Sequence, residues 1–370
     1  MQTLEDIVRD RILILDGAMG TMIQQYALTE EDFRGYRYRK TPGLMKGNND
    51  MLNITRPDVV SDIHRKYLEA GADIITTNTF SSQRISQADY HLEEAAREMA
   101  FAGARLARKA ADEFATADRP RFVAGSVGPT NKTCSMSPDV SNPAAREIDY
   151  LTLYDVYLEQ IEALVEGGVD AVLIETVFDT LNAKAAIDAT MEAERRSGKR
   201  LPIMLSITVS DLAGRTLSGQ TLEAVLASVS SYPLFSIGLN CSFGAPQMKP
   251  FLKELARKSP YYISAYPNAG LPNSMGEYDE TAESMAPQIK EYVIELTIAL
   301  PCTHCSPAVI TSHLDESIIT GTFAMSGSEA IILRNVRISS RASSRPSSMF
   351  TSITKAPSAT CLRAMLTASS

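Results

Sequence analysis

Apolar runs alternate with amphipathic segments along most of the chain. The segments YLEAGADIITTNTF (67–80) and LVEGGVDAVLIETVF (164–178) each contain a helical pattern that ends at a glycine before a β-branched run. A left-handed cap costs little at glycine, so both segments are typical of a helix-to-strand joint. Six further apolar runs predict strands at residues 12–15, 121–127, 202–209, 234–240, 261–267 and 292–300. Eight strands that alternate with helices indicate an α/β fold, a (β/α)8 TIM barrel, with a doubly wound open sheet as the alternative.

The pattern changes near residue 294. The chain carries 36 basic and 44 acidic residues in all, but residues 294–370 hold six basic, four acidic and 15 serine residues. A serine-rich segment with little hydrophobic periodicity is typical of a disordered tail. We therefore predict a barrel domain over residues 1–305, an altered last helix over 306–337, and an atypical Ser-rich, disordered C-terminal tail over 338–370.

Composition excludes several classes of function. A net charge of −8, without a basic stripe interleaved with aromatic residues, argues against nucleic acid and anionic membranes as partners. The sequence has no apolar run of roughly 18 residues and no secretory signal at its N-terminus, so we expect a soluble, cytoplasmic protein. Its five cysteines, at 134, 241, 302, 305 and 361, are too few and too uneven for a disulfide framework, which favours reduced thiols.

Polar residues end most of the predicted strands. Catalytic groups of a barrel lie at the carboxyl ends of its strands, so these residues are expected to converge there. They are Asp16, Asn78, Ser126, Glu175, Thr208 with Asp211, Asn240 with Cys241, Asn268, and Cys302 with Cys305.

Two of these strand ends carry an acidic residue, one beside a glycine-containing turn and one after an apolar run. The motif DGAMGT (16–21) contains glycines that allow close backbone approach to a ligand, and its amides suit a carboxylate, although a simple tight turn is the alternative. Glu175 follows an apolar run and needs a cationic partner, either a ligand ammonium group or a basic residue of a neighbouring strand. Asp211, in VSDLAGR, is interpreted as a turn residue.

The cysteines suggest a metal centre. His64 and His91 lie on predicted helices, which leaves a Ser-His-Asp arrangement without a candidate base. Cys241 by itself is typical of a small buried hydrophobe. Cys302 and Cys305, however, have the C-x-x-C spacing that places two sulfurs on one ion, after a strand two positions from that of Cys241. Three thiolates leave one open position on zinc, as in a catalytic site.

The chain resembles a known family over roughly residues 10–293. The motifs RILILDGAMGTMIQ, MKGNNDMLNITRPDVV, EAGADIITTNTFSS, GSVGPTNKTCSMSPDV, VLIETVFDTLNAKAA, GRTLSGQT, GLNCSFGA and YPNAGLPN are similar to the N-terminal homocysteine-binding module of cobalamin-dependent methionine synthases. KGNND with GPTNKT favours this family over relatives that use betaine or S-methylmethionine.

The resemblance implies a (β/α)8 barrel whose mouth holds Zn²⁺ through three cysteines, with Cys241 as the ligand from strand six. Asp16 and Glu175 would lie near the amino group of homocysteine, and the backbone of Gly17, Ala18, Gly20 and Thr21 near its polar end. Asn78, Ser126, Asn240 and Asn268 complete the expected substrate-binding set. The zinc-bound homocysteine thiolate would take a methyl group from methylcobalamin, and ultimately from 5-methyltetrahydrofolate, to give methionine.

One part of the chain departs from the family. The family's other two zinc ligands are adjacent cysteines after strand eight, whereas this chain reads ALPCTHCSP. Cys302 aligns with the first and Thr303 replaces the second, so Cys305 or His304 would have to substitute; we predict Cys241, Cys302 and Cys305 as ligands. The departure suggests a shifted reading frame or an otherwise aberrant sequence after about residue 293.

The length also sets an expectation about partners. A chain of 370 residues cannot contain the folate- and cobalamin-binding modules of methionine synthase. We therefore expect a fragment or a stand-alone module that needs those modules as partners, and methylcobalamin bound by them. The alternatives are a betaine- or S-methylmethionine-type methyltransferase, and a truncated barrel that no longer binds zinc and is inactive.

Overall fold

Seven strands form a curled parallel sheet in chain order. A computed structural model describes residues 2–269, 280–298 and 329–333. The parallel strands are β1 (Leu13–Gly17), β2 (Ile74–Thr76), β3 (Phe122–Val127), β4 (Ala171–Val177), β5 (Ile203–Ile207), β6 (Leu234–Gly244) and β7 (Tyr262–Asn268). Seven of the eight predicted strands are therefore confirmed, together with the α/β class. We call the carboxyl end of this sheet the mouth and its amino end the floor.

The eighth strand differs from the prediction. Strand β8 (Glu329–Leu333) pairs antiparallel with both β1 and β7 and closes the sheet, so a full (β/α)8 arrangement of parallel strands is not what the described residues form. It falls within residues 306–337, where an altered helix was predicted.

The run 292–300 was wrongly predicted as a strand, because helix α12 (Ala282–Ile298) covers most of it. Met285, Ile289 and Tyr292 are buried at a spacing of three to four residues, which is a helical period that the β-branched residues obscured. Residues 270–279, 299–328 and 334–370 lie outside the described part of the chain, and with them Cys302, Cys305 and the predicted tail.

Helices cover the sheet between the strands. Besides α12, the described helices are α1 (Leu4–Asp10), α2 (Met19–Gln24), α3 (Glu30–Arg34), α4 (Leu52–Thr55), α5 (Pro57–Ala70), α6 (Arg84–Gln87), α7 (Ala96–Phe114), α8 (Tyr150–Gly167), α9 (Thr180–Ser197), α10 (Leu222–Val229) and α11 (Ala245–Lys258). Single 3₁₀ turns occur at Asn49–Met51, Ala88–Tyr90 and Glu93–Ala95. None of the described helices is long and apolar enough to cross a membrane.

The two predicted helix-to-strand joints share one construction. Gly71 and Gly168 end α5 and α8 in the left-handed region, with φ of 109° and 102°. Asp73 and Asp170 follow, and each accepts a hydrogen bond from a backbone N–H of the preceding strand, at 3.1 and 2.8 Å. These joints fix where β2 and β4 begin, and so where their carboxyl ends arrive at the mouth.

The core has two layers. One lies between the sheet and the helices and includes Val60, Ile63, Met99 and Leu164, all fully buried. The other fills the inside of the curled sheet with residues such as Leu13, Ile74, Ala171 and Met204. Because apolar side chains fill the interior, polar chemistry is confined to the strand ends.

Candidate active site

The mouth brings together acids from β1 and β4. Asp16 is fully buried near the end of β1, and its carboxylate accepts hydrogen bonds from the backbone N–H of Thr76 at 2.7 Å and from the Thr76 hydroxyl at 3.0 Å. Burial raises the pKa of Asp16 well above its usual value, the bonds from Thr76 oppose the shift, and the nearby charge of Glu175 adds to it.

Glu175 is the second acid of the mouth. Its carboxylate accepts a hydrogen bond of 2.5 Å from the hydroxyl of Ser126, which is buried at the end of β3. Burial raises the pKa of Glu175 to about 7, with a further contribution from the charge of Asp50. Neither Glu175 nor Asp16 forms an ion pair with a basic side chain of the described residues. The predicted alternative of a basic partner from a neighbouring strand is therefore not found within that part of the chain.

Asp50 is a third acid that the sequence analysis did not select. Only 5% of it is exposed, and its carboxylate accepts bonds from the Ser81 N–H at 2.8 Å and the Ser82 hydroxyl at 2.7 Å. Burial raises its pKa to about 6. Asp50 belongs to the motif KGNND, which lies before a helix, so the pattern of polar residues at strand ends does not indicate it.

Cys241 has an unusual backbone near the carboxyl end of β6. Cys241 has a φ of 54° and Thr176, at the end of β4, has a φ of 57°. The left-handed region is costly for residues other than glycine, and especially for a β-branched residue such as threonine, by roughly 1–3 kcal/mol each. Strain of this kind persists where the surrounding structure enforces it, and it occurs often at functional sites.

Asn240 holds the backbone of Thr176 and precedes Cys241 directly in β6. Its side-chain oxygen accepts bonds from the Thr176 N–H at 3.0 Å and the Ser206 hydroxyl at 2.7 Å, and its amide donates to the Thr176 hydroxyl at 2.8 Å. On the other side of Cys241, the hydroxyl of Ser242 accepts a bond of 2.8 Å from the Val209 N–H. The strained residues are thus held across β4, β5 and β6.

Cys241 is an exposed residue. The protein atoms around the sulfur still desolvate it, which raises its pKa, and the charge of Glu175 raises it further. Hydrogen bonds with the side chains of Asn240 and Thr176 act in the opposite direction, because they stabilise the thiolate. Cys241 is therefore not the buried packing residue that a strand-end cysteine suggests by itself.

Tyr266 completes this group and was also missed. It lies on β7, and burial raises the pKa of its hydroxyl well above the usual value, with contributions from Asp16, Glu175 and Cys241. These electrostatic neighbours place the Tyr266 ring among the residues of the mouth. Asn268 is the last polar residue of this strand, so the strand-end pattern does not indicate Tyr266, two residues earlier.

The remaining predicted residues lie around this group. Asn78 is buried and donates to the Asn49 carbonyl at 2.8 Å, so it ties the KGNND segment to the end of β2. The Ala18 carbonyl accepts a bond of 3.2 Å from the Tyr67 hydroxyl. Gly17 ends β1, whereas Gly20 and Thr21 lie in the short helix α2, with Thr21 exposed. Thr208 contacts Ser242, and Asn268 pairs in register with Gly244.

Asp211 has the turn role that was predicted. Its carboxylate accepts bonds from the N–H groups of Ala213 at 2.9 Å and Arg215 at 3.1 Å. The side chain is thereby used within its own turn.

Within the described residues, no three histidine, cysteine or acidic side chains are grouped to hold a metal ion. Cys241 has the ligand type that zinc prefers and is an exposed residue of the mouth, so it fits as one ligand. Cys302 and Cys305 lie outside the described residues.

Comparison with known proteins gives the family. The model of the homocysteine S-methyltransferase family matches residues 13–313. Solved structures of the homocysteine methyltransferase MmuM from Escherichia coli are similar to this chain. The oxidized form is 21% identical with a TM-score of 0.62, and the metallated form is 19% identical with a TM-score of 0.61. Each match covers 86% of this chain and 98% of the other, and at such low identity it shows a shared fold. The family match spans most of the sequence, and the chain belongs to the homocysteine S-methyltransferase family.

Proposed function

We propose that this chain is the zinc-dependent homocysteine S-methyltransferase module of a methionine synthase, working in the cytoplasm. Family membership supports methyl transfer to homocysteine. The observation that carries the proposal is the exposed residue Cys241, held in a strained backbone conformation beside the buried acid Glu175. The motifs KGNND and GPTNKT support the methionine synthase type.

The acids of the mouth suit the ammonium group of an amino acid. Asp16 and Glu175 are desolvated, interact with each other, and have raised pKa values. An ammonium group would favour their ionised forms and supply the opposite charge that a buried carboxylate needs. Backbone N–H groups near Gly17, Ala18, Gly20 and Thr21 are proposed to meet the carboxylate, with Asn78, Ser126, Asn240 and Asn268 supporting the pocket.

Cys241 is the proposed zinc ligand from β6, with Cys302 and Cys305 as the other two. Bound zinc lowers the pKa of a coordinated thiol, so that homocysteine reacts as a thiolate near neutral pH. The chain's own contribution is orientation: Asn240 holds Cys241, and the acids hold the amino group. The substrate sulfur then forms a bond to the methyl carbon while the donor retains the electron pair of the broken bond.

The proposed donor is methylcobalamin carried by the cobalamin module, which is recharged with the help of the folate module. Both are partners outside this chain. A donor such as betaine or S-methylmethionine is the alternative within the family, and a barrel that has lost its zinc and its activity is the non-catalytic one.

Zinc content and methyl transfer test the proposal together. We expect about one zinc per full-length chain after zinc loading, and a value below about 0.2 for Cys241→Ala, because losing one of three thiolates removes much of the affinity. Cys134→Ala is the matched control, since Cys134 is buried in the loop after β3, is not among the groups that interact with the Cys241 thiol, and should leave zinc content unchanged.

Methyl transfer to homocysteine is then measured with methylcobalamin, S-methylmethionine and betaine in separate reactions. Product from methylcobalamin alone supports the methionine synthase type, whereas product from an onium donor supports the alternative. Less than about 0.2 zinc per wild-type chain would overturn the catalytic proposal on metal-affinity grounds.

A further inference from the structure

Three arginine side chains surround a single carboxylate at the floor of the sheet. Arg11 precedes β1, Asp73 precedes β2, and Arg119 and Arg121 precede β3. Arg11 donates to both carboxylate oxygens of Asp73, at 2.6 and 2.9 Å. The Arg119 Nε and the Arg121 Nη1 lie 3.5 and 3.7 Å from the same carboxylate. We call Arg11, Arg119 and Arg121 the floor cluster.

The floor cluster carries more positive charge than its position in the fold requires. Asp170 has the equivalent place in the second helix-to-strand joint and pairs with one arginine, Arg108, at 2.7 Å. Arg108 also pairs with Asp112 at 2.8 Å, so that joint has no cationic excess. At Asp73 one carboxylate faces three guanidinium groups, which leaves two positive charges uncompensated among these side chains.

Arg121 is the most buried member of the floor cluster. Only 8% of it is exposed, and its Nη1 donates to the carbonyls of Gly71 at 3.3 Å and Ala72 at 2.5 Å. Its buried Nε has no hydrogen-bond partner among the described residues. Burial lowers its pKa to about 10, and the charges of Arg119 and Arg11 lower it further, while the charge of Asp73 opposes the shift. A buried charge is costly unless an opposite charge compensates it.

The other two arginines of the floor cluster are partly exposed to solvent. The side chains of Arg119 and Arg11 are 37% and 27% exposed, and Arg119 uses its Nη2 to cap the Gly71 carbonyl at 2.7 Å. Its remaining guanidinium donors are not used in hydrogen bonds to described residues. Planar guanidinium groups bind oxyanions through paired N–H donors, and clustered ones suit a divalent charge.

We propose that the floor cluster is a binding site for a small divalent oxyanion, of the phosphate class, at the end of the sheet opposite the mouth. The anion would contact Arg119 and Arg11 from solvent and compensate the buried charge of Arg121. This site is independent of the proposed methyl transfer, because none of its residues lies at the carboxyl ends of the strands.

Thermal unfolding and calorimetric titration with inorganic phosphate test the proposal. The full chain is freed of metal and compared in phosphate and in sodium chloride of equal ionic strength. We expect phosphate to raise the midpoint of unfolding beyond the effect of chloride, and Arg119→Gln to weaken phosphate binding about tenfold or more. Arg195→Gln is the control, because Arg195 is 72% exposed on α9 and pairs with Glu192. Cys241→Ala should bind phosphate like the wild type.

Two further arms make the outcome decisive. Arg119→Lys keeps the positive charge but loses the paired N–H donors of the planar guanidinium group. We therefore expect a phosphate affinity between those of the wild type and Arg119→Gln, with folding preserved. Glycerol 3-phosphate replaces inorganic phosphate to separate the sources: equal affinity indicates the phosphate group of a larger molecule, and weaker affinity indicates free phosphate. Two results would overturn the proposal. One is a midpoint of unfolding that phosphate raises no more than chloride does, and the other is an equal phosphate affinity in Arg119→Gln and Arg195→Gln.

Discussion

Replacing Asn240 by alanine should perturb both the stability of the barrel and the chemistry of Cys241. Asn240 is 2% exposed and makes three side-chain hydrogen bonds, two with Thr176 and one with Ser206. Their loss should lower the free energy of unfolding by about 3 kcal/mol, at about 1 kcal/mol for each bond. Because the Asn240 side chain also stabilises the thiolate, the pKa of Cys241 should rise in Asn240→Ala.

Asn182→Ala is a matched control for this change. Asn182 is 4% exposed and also makes three side-chain hydrogen bonds, with the Cys134 N–H at 2.9 Å, the Lys132 carbonyl at 3.0 Å and the Thr130 hydroxyl at 3.5 Å. We expect a similar loss of stability without a change at Cys241.

Urea unfolding gives the free energies, and alkylation by iodoacetamide between pH 7 and pH 10 gives the reactivity of the thiol. The modified peptide that contains Cys241 is quantified by mass spectrometry in metal-free protein, so the other cysteines do not interfere. The midpoint of the pH profile should move upward in Asn240→Ala only. An unchanged or lower midpoint, or an equal shift in Asn182→Ala, would refute the role assigned to Asn240.

Three further changes test other parts of the structure. The pKa of Glu175 rises to about 7 on folding, so its contribution to stability is present below about pH 4.5 and is lost as the pH rises to 7. In metal-free Glu175→Gln, urea unfolding should show a smaller loss between pH 5 and pH 8, by up to about 2 kcal/mol.

His64 is fully buried with both ring nitrogens unpartnered among the described residues, and its pKa falls to about 4. Its contribution is present above about pH 6.5 and lost toward pH 4, so His64→Leu should resist acid better by up to about 3 kcal/mol in the same assay. A Cβ at Gly238 would lie 2.0 Å from the Ser264 carbonyl oxygen, so Gly238→Ala should cost more than about 3 kcal/mol, against about 1 kcal/mol for Gly198→Ala, whose Cβ meets nothing within 4 Å.

The local pattern of apolar and turn residues was sufficient to predict most of the strands. Each parallel strand, from β1 to β7, is a short apolar run bounded by turn residues, and the joints at Gly71 and Gly168 follow from the conformational freedom of glycine. The pattern failed at residues 292–300, because a β-branched run with helical spacing satisfies both descriptions and only packing against the sheet decides between them.

The sequence by itself also determined which polar residues reach the mouth, since Asp16, Glu175, Asn240 and Cys241 each follow an apolar run, and the carboxyl ends of parallel strands lie at one edge of the sheet. Only the tertiary structure decided how they act there. The left-handed conformation of Thr176 is held by a bond to Asn240, and burial raises the pKa values of Asp16, Asp50 and Glu175, with added charge effects at Asp16 and Glu175. Tyr266 and the floor cluster belong to the same category, because charge and desolvation arise from residues that are distant along the chain and adjacent in space.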